Sequence, residues 1–338
     1  SYADELGNVT MEREVGTHEV TALAQAAKNS GGKVFVQVEK IVKAGTLDPR
    51  LVKIPRIYVD GLVISEPYDH QQSFDHEFDP SLTGGITVPV DSLEAPPMSA
   101  KKVIGRRAAM ELTENTVVNL GIGIPEYISA VANEEGIGDY MTLTVEAGPV
   151  GGVPCGGSQF GASVNPECIL AQHEQFDFYD GGGVDLAFLG LAQADKQGNI
   201  NVSKFGPRIA GCGGFINITQ NAKKVFYCGT FTAGGLKTDI HDGKIKILQE
   251  GKEKKFIDEV EQVTFSGEYA VKIGQPVMYI TERAVFELRK DGVYLTEIAP
   301  GVDLKTQVLD LMDFEPKMDG APKLMDRRIF CDEPMGLK

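Results

Sequence analysis

The sequence predicts an α/β fold made of two similar open α/β/α units with mostly parallel sheets, of which the first unit is incomplete. Short runs of β-branched and aliphatic residues alternate with helical segments and glycine-rich turns. Runs of this kind are typical of the buried strands of parallel sheets. Two short sequence patterns also occur twice, at the same separation, which indicates an internal repeat.

The repeat rests on two matches, each at an offset of 191 residues. Ala3-Asp-x-x-Gly-Asn-Val matches Ala194-Asp-x-x-Gly-Asn-Ile, and Lys33-Val-Phe matches Lys224-Val-Phe. Ahead of the second copy lies a long stretch of the same unit, whereas only two residues precede Ala3. We therefore expect the amino-terminal part of the first unit to be missing from this chain.

The composition excludes several classes of function. The chain has 338 residues, 42% of them hydrophobic and 24% charged, which is typical of a globular protein with two domains. A net charge of −15 argues against a nucleic-acid or anionic-membrane partner. No signal-peptide pattern is present, and no apolar run reaches the roughly 18 residues of a membrane span. We expect no membrane association.

The five cysteines favour a reducing compartment. Their number is odd, they are widely spaced, and no C-x-x-C pair occurs. This pattern fits free thiols better than a disulfide framework or a zinc site. We expect a cytoplasmic location.

In the first unit, strands are predicted at residues 34–38, 57–60 and 62–65. His70 and His76 follow in an acidic loop, and they lack a regular ligand spacing, so a solvated loop explains them better than a metal site. Residues 81–97 are rich in Gly, Pro and Ser and mark a boundary. The predicted domains are therefore residues 1–97, the end of the first unit plus a linker, and residues 98–338, the second unit.

The second unit opens with a predicted helix over residues 98–112, with Ser99 as its N-cap. A strand at 116–120, a tight turn and a helix at 126–133 follow. Strand, Gly-x-Gly turn and helix resemble a dinucleotide site, but Glu126 occupies the position of the third glycine. A nicotinamide enzyme is not expected, and a phosphate or carboxylate contact at the turn remains open.

Residues 141–145 predict a short buried strand that ends on Glu146 and leads into a glycine-rich loop. Glycines allow positive φ values and let a ligand lie close to peptide N–H groups. Glu146 is therefore a candidate site residue. In the alternative interpretation, Glu146 is a solvated acid at a strand end and the glycines only form turns.

Further glycine clusters adjoin strand-like runs in the second half of the chain. In a parallel sheet the loops at the carboxyl ends of strands line one crevice, so these clusters could converge there, although each could also be a separate turn. Asp242-Gly predicts a hairpin. The remaining predicted elements are a strand at 277–281, a strand pair across Lys290-Asp-Gly and a short helix at 303–312.

Four segments together resemble the family I coenzyme A transferases, most closely the propionate, acetate and lactate branch. They are Asn119-Leu-Gly-Ile-Gly-Ile-Pro125, Glu146-Ala-Gly-Pro-Val-Gly-Gly-Val-Pro154, Gly182-Gly-Val-Asp-Leu-Ala-Phe-Leu-Gly190 and Gly211-Cys-Gly-Gly-Phe215. The resemblance extends over the whole chain. It implies that Glu146 is the catalytic glutamate, although Ala147 stands where the family has Ser or Asn.

The resemblance also implies the remaining site. The turn Gly121, Ile122, Gly123, Ile124 and Pro125 would lie along bound CoA. Asn201 would support the acyl group, and Gly213 and Gly214 would approach the thioester. No metal or redox cofactor is implied, because the CoA thioester is itself the substrate.

The implied activity is transfer of CoA between short-chain acyl-CoA and a free carboxylic acid, through a glutamyl-CoA thioester on the enzyme. Two alternatives remain open: an acyl-CoA hydrolase on the same scaffold, and a truncated, non-catalytic unit that needs a partner chain. The implied partners are acyl-CoA, short-chain acids, further copies of this chain in a homo-oligomer, and a second chain supplying the missing amino-terminal segment.

Overall fold

The computed structural model describes residues 1–74, 76–89 and 96–338. It divides into two compact units. The first unit comprises Ser1–Asp91 and Leu143–Asp177, and the second comprises Ser92–Thr142 and Phe178–Lys338. Residues 143–177, which include Glu146, therefore pack with the amino-terminal part of the chain.

Residues 1–89 form short strands around one helix. The strand predicted at 57–60 is wrong, because Tyr58 N–H donates to the Pro55 carbonyl at 2.9 Å and closes a turn there. The strand predicted at 62–65 is present as Gly61–Ile64. The elements are β1 Tyr2–Asp4, β2 Val9–Thr10, α1 Val20–Asn29, β3 Phe35–Val38, β4 Lys40–Val42, β5 Val52–Ile54 and β6 Gly61–Ile64, with 3₁₀ turns at Pro67–Asp69 and Pro80–Leu82.

Residues 96–180 follow the predicted order of helix, strand, turn, helix and strand. Ser99 caps the first helix, since its hydroxyl accepts from Lys102 N–H at 3.2 Å. The elements are α2 Ala100–Ala109, β7 Thr116–Leu120, α3 Glu126–Glu134, β8 Met141–Thr144, β9 Pro149–Val150, β10 Val153–Pro154, β11 Ser163–Val164, β12 Cys168–Ile169 and α4 Gln172–Asp180, with 3₁₀ turns at Gly138–Tyr140 and Gly157–Gln159.

Residues 181–338 contain the predicted hairpin at Asp242-Gly243, where both residues have positive φ, 55° and 74°. The helix predicted over 303–312 is shorter than expected. The elements are β13 Leu186–Gly190, β14 Gln193–Ala194, β15 Ile200–Asn201, β16 Lys204–Phe205, β17 Arg208–Ile209, α5 Phe215–Gln220, β18 Lys224–Cys228, β19 Thr232–Ala233, β20 Lys237–His241, β21 Lys244–Gln249, β22 Glu253–Lys254, α6 Gly267–Ile273, β23 Val277–Ile280, β24 Ala284–Arg289, β25 Gly292–Ile298, α7 Leu304–Gln307 and β26 Lys323–Leu324, with 3₁₀ turns at Leu309–Leu311 and Arg327–Phe330.

The second unit is built on a mainly parallel sheet, as predicted. Strands β7, β13, β18 and β23 are parallel neighbours in that order, and β24 and β25 continue the sheet in antiparallel fashion. Phe188 and Phe226 are paired across β13 and β18, and their rings stack at 4.4 Å between centroids. Both rings are fully buried, so the centre of this sheet is the core of the unit.

The first unit has a smaller core. Strands β4, β1, β2 and β5 form one sheet, and β3 and β6 form a separate parallel pair. Its buried cluster consists of Ala3, Val9, Ala24, Val38 and Ile54. Parallel strands are normally buried on both faces, yet Phe35 of β3 is 70% exposed and Ile64 of β6 is 61% exposed.

The two matched segments of the internal repeat form turns with the same hydrogen bonds. The Asp4 carboxylate accepts from the backbone N–H and the side-chain amide of Asn8, both at 2.9 Å. The Asp195 carboxylate accepts from the same two groups of Asn199, both at 3.0 Å. In each copy a helix then leads into a strand, β3 or β18, that has a parallel neighbour, β6 or β23.

Candidate functional site

Glu146 lies at the tip of the tight turn between β8 and β9. Gly148 N–H donates to the Val145 carbonyl at 3.0 Å, and Val145 N–H donates to the Pro149 carbonyl at 2.9 Å. Gly148 has a φ of 126°, a value that L side chains rarely adopt. The turn therefore presents Glu146 directly beyond the end of a buried strand.

The Glu146 carboxylate is half-buried and has no described hydrogen-bond or ion-pair partner. Its neighbours Val145 and Ala147 are buried. Within the described part of the chain, no hydrogen bond or ion pair is formed by its side chain. Burial alone raises the pKa of Glu146. Because none of the described cations neutralises it, the carboxylate keeps the basicity that a nucleophile requires.

The glycines after Glu146 serve mainly to pack the loop on its own unit. A β-carbon on Gly148 would overlap the Leu170 carbonyl oxygen, and one on Gly152 would overlap the Val164 carbonyl oxygen. At these two positions the close neighbour is the chain itself rather than a ligand. Gly157 differs, since its φ is 60° and a β-carbon there would meet no atom within 4 Å.

The turn predicted to lie along CoA is partly open to solvent. Gly121 packs against the backbone of β13, while Ile122 is 61% exposed and Gly123 is also exposed. Ile124 is half-buried and Pro125 is buried at the start of α3. An apolar side chain and a stretch of free backbone surface are therefore available at this turn.

The start of α3 already holds a carboxylate. Gly123 N–H donates to Glu126 Oε1 at 2.8 Å. A phosphate at this N–H would have to displace the Glu126 carboxylate and would be repelled by it. The structure thus favours contact of a ligand with Ile122 over an anion at the helix N-terminus.

Asn201 is fully buried, and its side-chain amide is occupied within the second unit. Its Nδ2 donates to Gln193 Oε1 at 2.6 Å and to the Lys204 carbonyl at 2.7 Å. Its Oδ1 accepts from Ser203 N–H at 2.9 Å. These bonds fix the turn after β15, and contact of Asn201 with an acyl group stays a prediction.

Gly213 and Gly214 lie immediately before α5. Gly213 is exposed, has a φ of 53°, and a β-carbon there would meet no atom within 4 Å. Gly214 is buried and is the N-cap residue of α5. Of the two, Gly213 is the one that a ligand could approach.

The topology of the second unit brings several of these residues to one edge of the sheet. Because β7, β13 and β18 are parallel neighbours, their carboxyl ends share an edge. The Gly121–Pro125 turn directly follows β7, and Gly213 precedes α5, the helix that returns to the start of β18. Asn201 lies in the connection between β13 and β18. Glu146 belongs to the first unit.

Lys255 is a residue at this edge that sequence reasoning missed. Its Nζ donates to the Leu191 carbonyl at 3.0 Å and to Thr230 Oγ1 at 3.4 Å. Leu191 follows β13 and Thr230 follows β18, so Lys255 links the two strand-end connections. Burial lowers the pKa of Lys255 to about 8. No sequence signal distinguishes it from the neighbouring Lys252 and Lys254.

Replacing Lys255 by methionine is expected to remove a pH-dependent contribution to the free energy of unfolding. The pKa of Lys255 is about 8 in the folded chain, below the ordinary 10.5. The unfolded chain thus binds more protons between these values, and the contribution of Lys255 becomes more favourable as pH rises. The quantity to follow is the difference in the free energy of unfolding between the natural chain and Lys255→Met. As pH rises from 7 to 10.5, this difference should shift in favour of the natural chain by up to about 3 kcal/mol. Urea titrations at several pH values measure it.

Lys254→Met is the matched control, since Lys254 pairs with Asp313 at the surface. Its stability should follow the natural chain at each pH. Parallel curves for Lys255→Met and the natural chain would contradict the buried-lysine interpretation.

The described residues offer neither a metal cluster nor a membrane helix. In residues 1–74, 76–89 and 96–338, no three His, Cys, Asp or Glu side chains are grouped to hold a metal ion. His70 instead contacts Ser65 Oγ at 3.1 Å and Glu14 at 3.4 Å. None of the helices within these ranges is both long and apolar enough to cross a bilayer.

Comparison with known proteins identifies relatives by sequence. No family model matches the chain. Acetate CoA-transferase YdiF of Escherichia coli O157:H7 is 46% identical over 333 residues, which are 98% of this chain and 62% of YdiF. Caffeate CoA-transferase of Acetobacterium woodii is 46% identical over 99% of this chain and 65% of its own length. The chain thus spans less than two thirds of these relatives.

Two crystal structures of the same E. coli protein match in three dimensions. The apoenzyme has a TM-score of 0.92 at 45% identity, over 99% of this chain and 63% of that one. A second structure, described as a thioester complex with CoA, has a TM-score of 0.88 at 44% identity.

A shorter relative is matched over nearly its whole length. The β subunit of acetate CoA-transferase from E. coli K12 is 32% identical over 226 residues, which are 62% of this chain and 90% of the subunit. The α/β fold with its mainly parallel sheet agrees with these assignments. The chain belongs to the family I CoA-transferases.

Proposed function

We propose that this chain carries the nucleophilic glutamate, Glu146, of an enzyme that transfers CoA from a short-chain acyl-CoA to a free carboxylic acid. The observation that carries the proposal is the Glu146 carboxylate itself. It is half-buried at the tip of a rigid turn, and no described group pairs with it. An acid placed only for solubility would be exposed, and an acid placed for stability would have a partner.

The chemistry balances with Glu146 and the substrates alone. A Glu146 oxygen attacks the thioester carbonyl carbon, and the C–S bond breaks to give a mixed anhydride and CoA thiolate. The thiolate attacks the glutamyl carbonyl carbon, which forms the glutamyl-CoA thioester and releases the donor acid as its carboxylate. An acceptor carboxylate then reverses these two steps. No electron transfer occurs, so we propose no cofactor beyond the CoA substrate.

The acids are proposed to be propionate, acetate or lactate. This choice rests on the resemblance of the residues 146–154 segment to that branch and on the acetate named for YdiF. The five free cysteines support a cytoplasmic location. Contacts of CoA with Gly121, Ile122, Gly123, Ile124 and Pro125, and the roles of Asn201, Gly213 and Gly214, are proposed on the resemblance.

We further propose that full transfer activity requires a polypeptide equivalent to the rest of the relatives' length. In the second unit, β18 lies between β13 and β23. Its repeat counterpart β3 has β6 on one side and an exposed apolar Phe35. Among the described residues no strand pairs with the other edge of β3, and such an edge with apolar side chains fits a further parallel strand. A homo-oligomer stays a prediction of the sequence.

Covalent labelling tests the role of Glu146. Incubation with propionyl-CoA followed by borohydride should reduce the glutamyl thioester to an alcohol, and peptide mass analysis should find that mass change at Glu146. The acids Glu126 and Glu167 serve as internal controls. Label on either control and none on Glu146 would overturn the assignment.

A water-resolved reaction is distinguished in the same preparation. Release of propionate with no formation of acetyl-CoA in the presence of acetate would indicate a hydrolase. Formation of acetyl-CoA in proportion to released propionate is the result that we expect.

A further inference from the structure

His18 has a backbone conformation that few residues with a β-carbon adopt. Its φ is 44°, in the left-handed region, where Asn, Asp and His are the more frequent of the non-glycine residues. Non-glycine residues in this region concentrate at sites of function, where the surrounding structure holds them. The sequence carries no sign of this conformation.

Gln172 holds His18 from two sides. Its N–H donates to the His18 carbonyl at 3.1 Å, and its Oε1 lies 3.2 Å from His18 Nδ1. With Oε1 facing the ring, Nδ1 carries a proton and donates to it. The opposite ring nitrogen, Nε2, is then left for another partner.

The free edge of the ring lies beside the residue next to Glu146. Gly16 is buried against this segment: a β-carbon on Gly16 would lie 3.1 Å from the Ala147 carbonyl oxygen and 3.6 Å from His18 Nε2. All of these residues belong to the first unit. The His18 side chain is itself exposed, so a small solute can reach it.

CoA transfer requires an anionic acid substrate to bind beside Glu146. The acid substrate arrives as an anion and must place one carboxylate oxygen against the carbonyl carbon of the glutamyl thioester. The Glu146 side chain pairs with no described cation that could hold the acid there, so a hydrogen-bond donor beside Glu146 would serve that purpose. A proton on His18 Nε2 can be donated in a hydrogen bond to a carboxylate oxygen.

We propose that His18 binds the carboxylate of the acid substrate beside Glu146, with Gln172 fixing the ring. This inference rests on the proposed function of Glu146. In the step concerned, an acid oxygen bonds to the Glu146 carbonyl carbon, the C–S bond of the glutamyl thioester breaks, and CoA leaves as the thiolate. His18 holds the acid and transfers no proton.

The test uses His18→Asn, because Asn tolerates positive φ and lacks the imidazole, and His18→Gly, which also removes the side chain. Both variants should melt at or above the temperature of the natural chain. In the preparation that carries transfer activity, acyl-CoA should still load Glu146 with CoA in both variants. The KM for acetate should rise by about 10- to 100-fold, the range for a lost hydrogen bond to a charged group, while kcat changes less.

Imidazole added to His18→Gly should lower the KM for acetate part of the way back to the value of the natural chain. His241→Asn is the matched control, since His241 is an exposed histidine of β20 in the second unit, and its KM should not change. An unchanged KM for acetate in both His18 variants, with Glu146 still loaded, would overturn the role of His18 and leave Glu146 intact. Absence of any label on Glu146 in the natural chain would instead overturn the proposed function.

Discussion

Glu146→Ala is expected to abolish CoA transfer, with a loss of about 10⁴-fold or more in turnover. The reason is that every bond made to the enzyme in the proposed cycle is made to the Glu146 carboxyl carbon or oxygen. Alanine removes the nucleophile but leaves the turn intact, since the turn is closed by backbone bonds between Val145 and Gly148. Transfer from propionyl-CoA to acetate should be measured, beside the melting temperature of the variant.

Glu126→Gln is the control for charge. Glu126 is also an acid at the end of a glycine turn, but its carboxylate bonds to Gly123 N–H, and glutamine can accept the same bond through its amide oxygen. We expect it to keep most of its turnover. Retention of more than about one tenth of turnover in Glu146→Ala would show that another group is the nucleophile.

The position of Glu146 could be predicted because its signals are local. Residues 141–145 are a run of strand-forming residues, and the strand ends where the glycines begin, so an acid at that boundary had to lie at a strand end. Its lack of a partner was not predictable. That property depends on which charged residues the fold brings near Glu146, and the hydrophobic pattern of the sequence does not predict these neighbours.

The roles of the glycines and of Asn201 show the limit of such reasoning. Gly148 and Gly152 look like ligand-binding glycines, yet the carbonyls of Leu170 and Val164 fill the space beside them. Asn201 looks available in the sequence and is enclosed in its own turn. Close packing between segments that are distant along the chain decides these cases.

The residues that were missed, His18 and Lys255, have the same explanation. Each owes its character to a partner that is distant along the chain: Gln172 is 154 residues from His18, and Leu191 is 64 residues from Lys255. The fold class was easier to predict, because strand and helix patterns are local and the repeat fixed which turns correspond. The strand at 57–60 failed since a short apolar run after Pro55 can close a turn instead.

The second large effect is expected on adding the segment that the relatives carry beyond the matched region. The chain spans 62% of YdiF. In the repeat, β13 and β14 precede the Asp195 turn, and β13 pairs with β18. We propose that a strand of the added segment, equivalent to β13, pairs with β3 and covers Phe35.

Transfer turnover should therefore rise by about 10²-fold when a separate polypeptide equivalent to that segment of the relatives is mixed with this chain. We propose that without it the glutamyl thioester would be open to water and hydrolysis would compete with transfer. Co-elution in size-exclusion chromatography, the ratio of acetyl-CoA formed to propionate released, and turnover should be measured together. A chain that elutes as a monomer and transfers at full rate alone would contradict this prediction and would leave Glu146 unaffected.

The Phe35→Glu variant tests whether the added segment binds at β3. Phe35 is 70% exposed, so a charge there should leave the melting temperature of the chain nearly unchanged and should weaken association, because a carboxylate would be buried in the pairing. Leu324→Glu is matched to it, since Leu324 is also 70% exposed on a strand, in the second unit. If the two variants bind the added segment equally well, the contact lies elsewhere than β3. If only Phe35→Glu loses association and turnover together, the open edge of β3 is the surface that completes the enzyme.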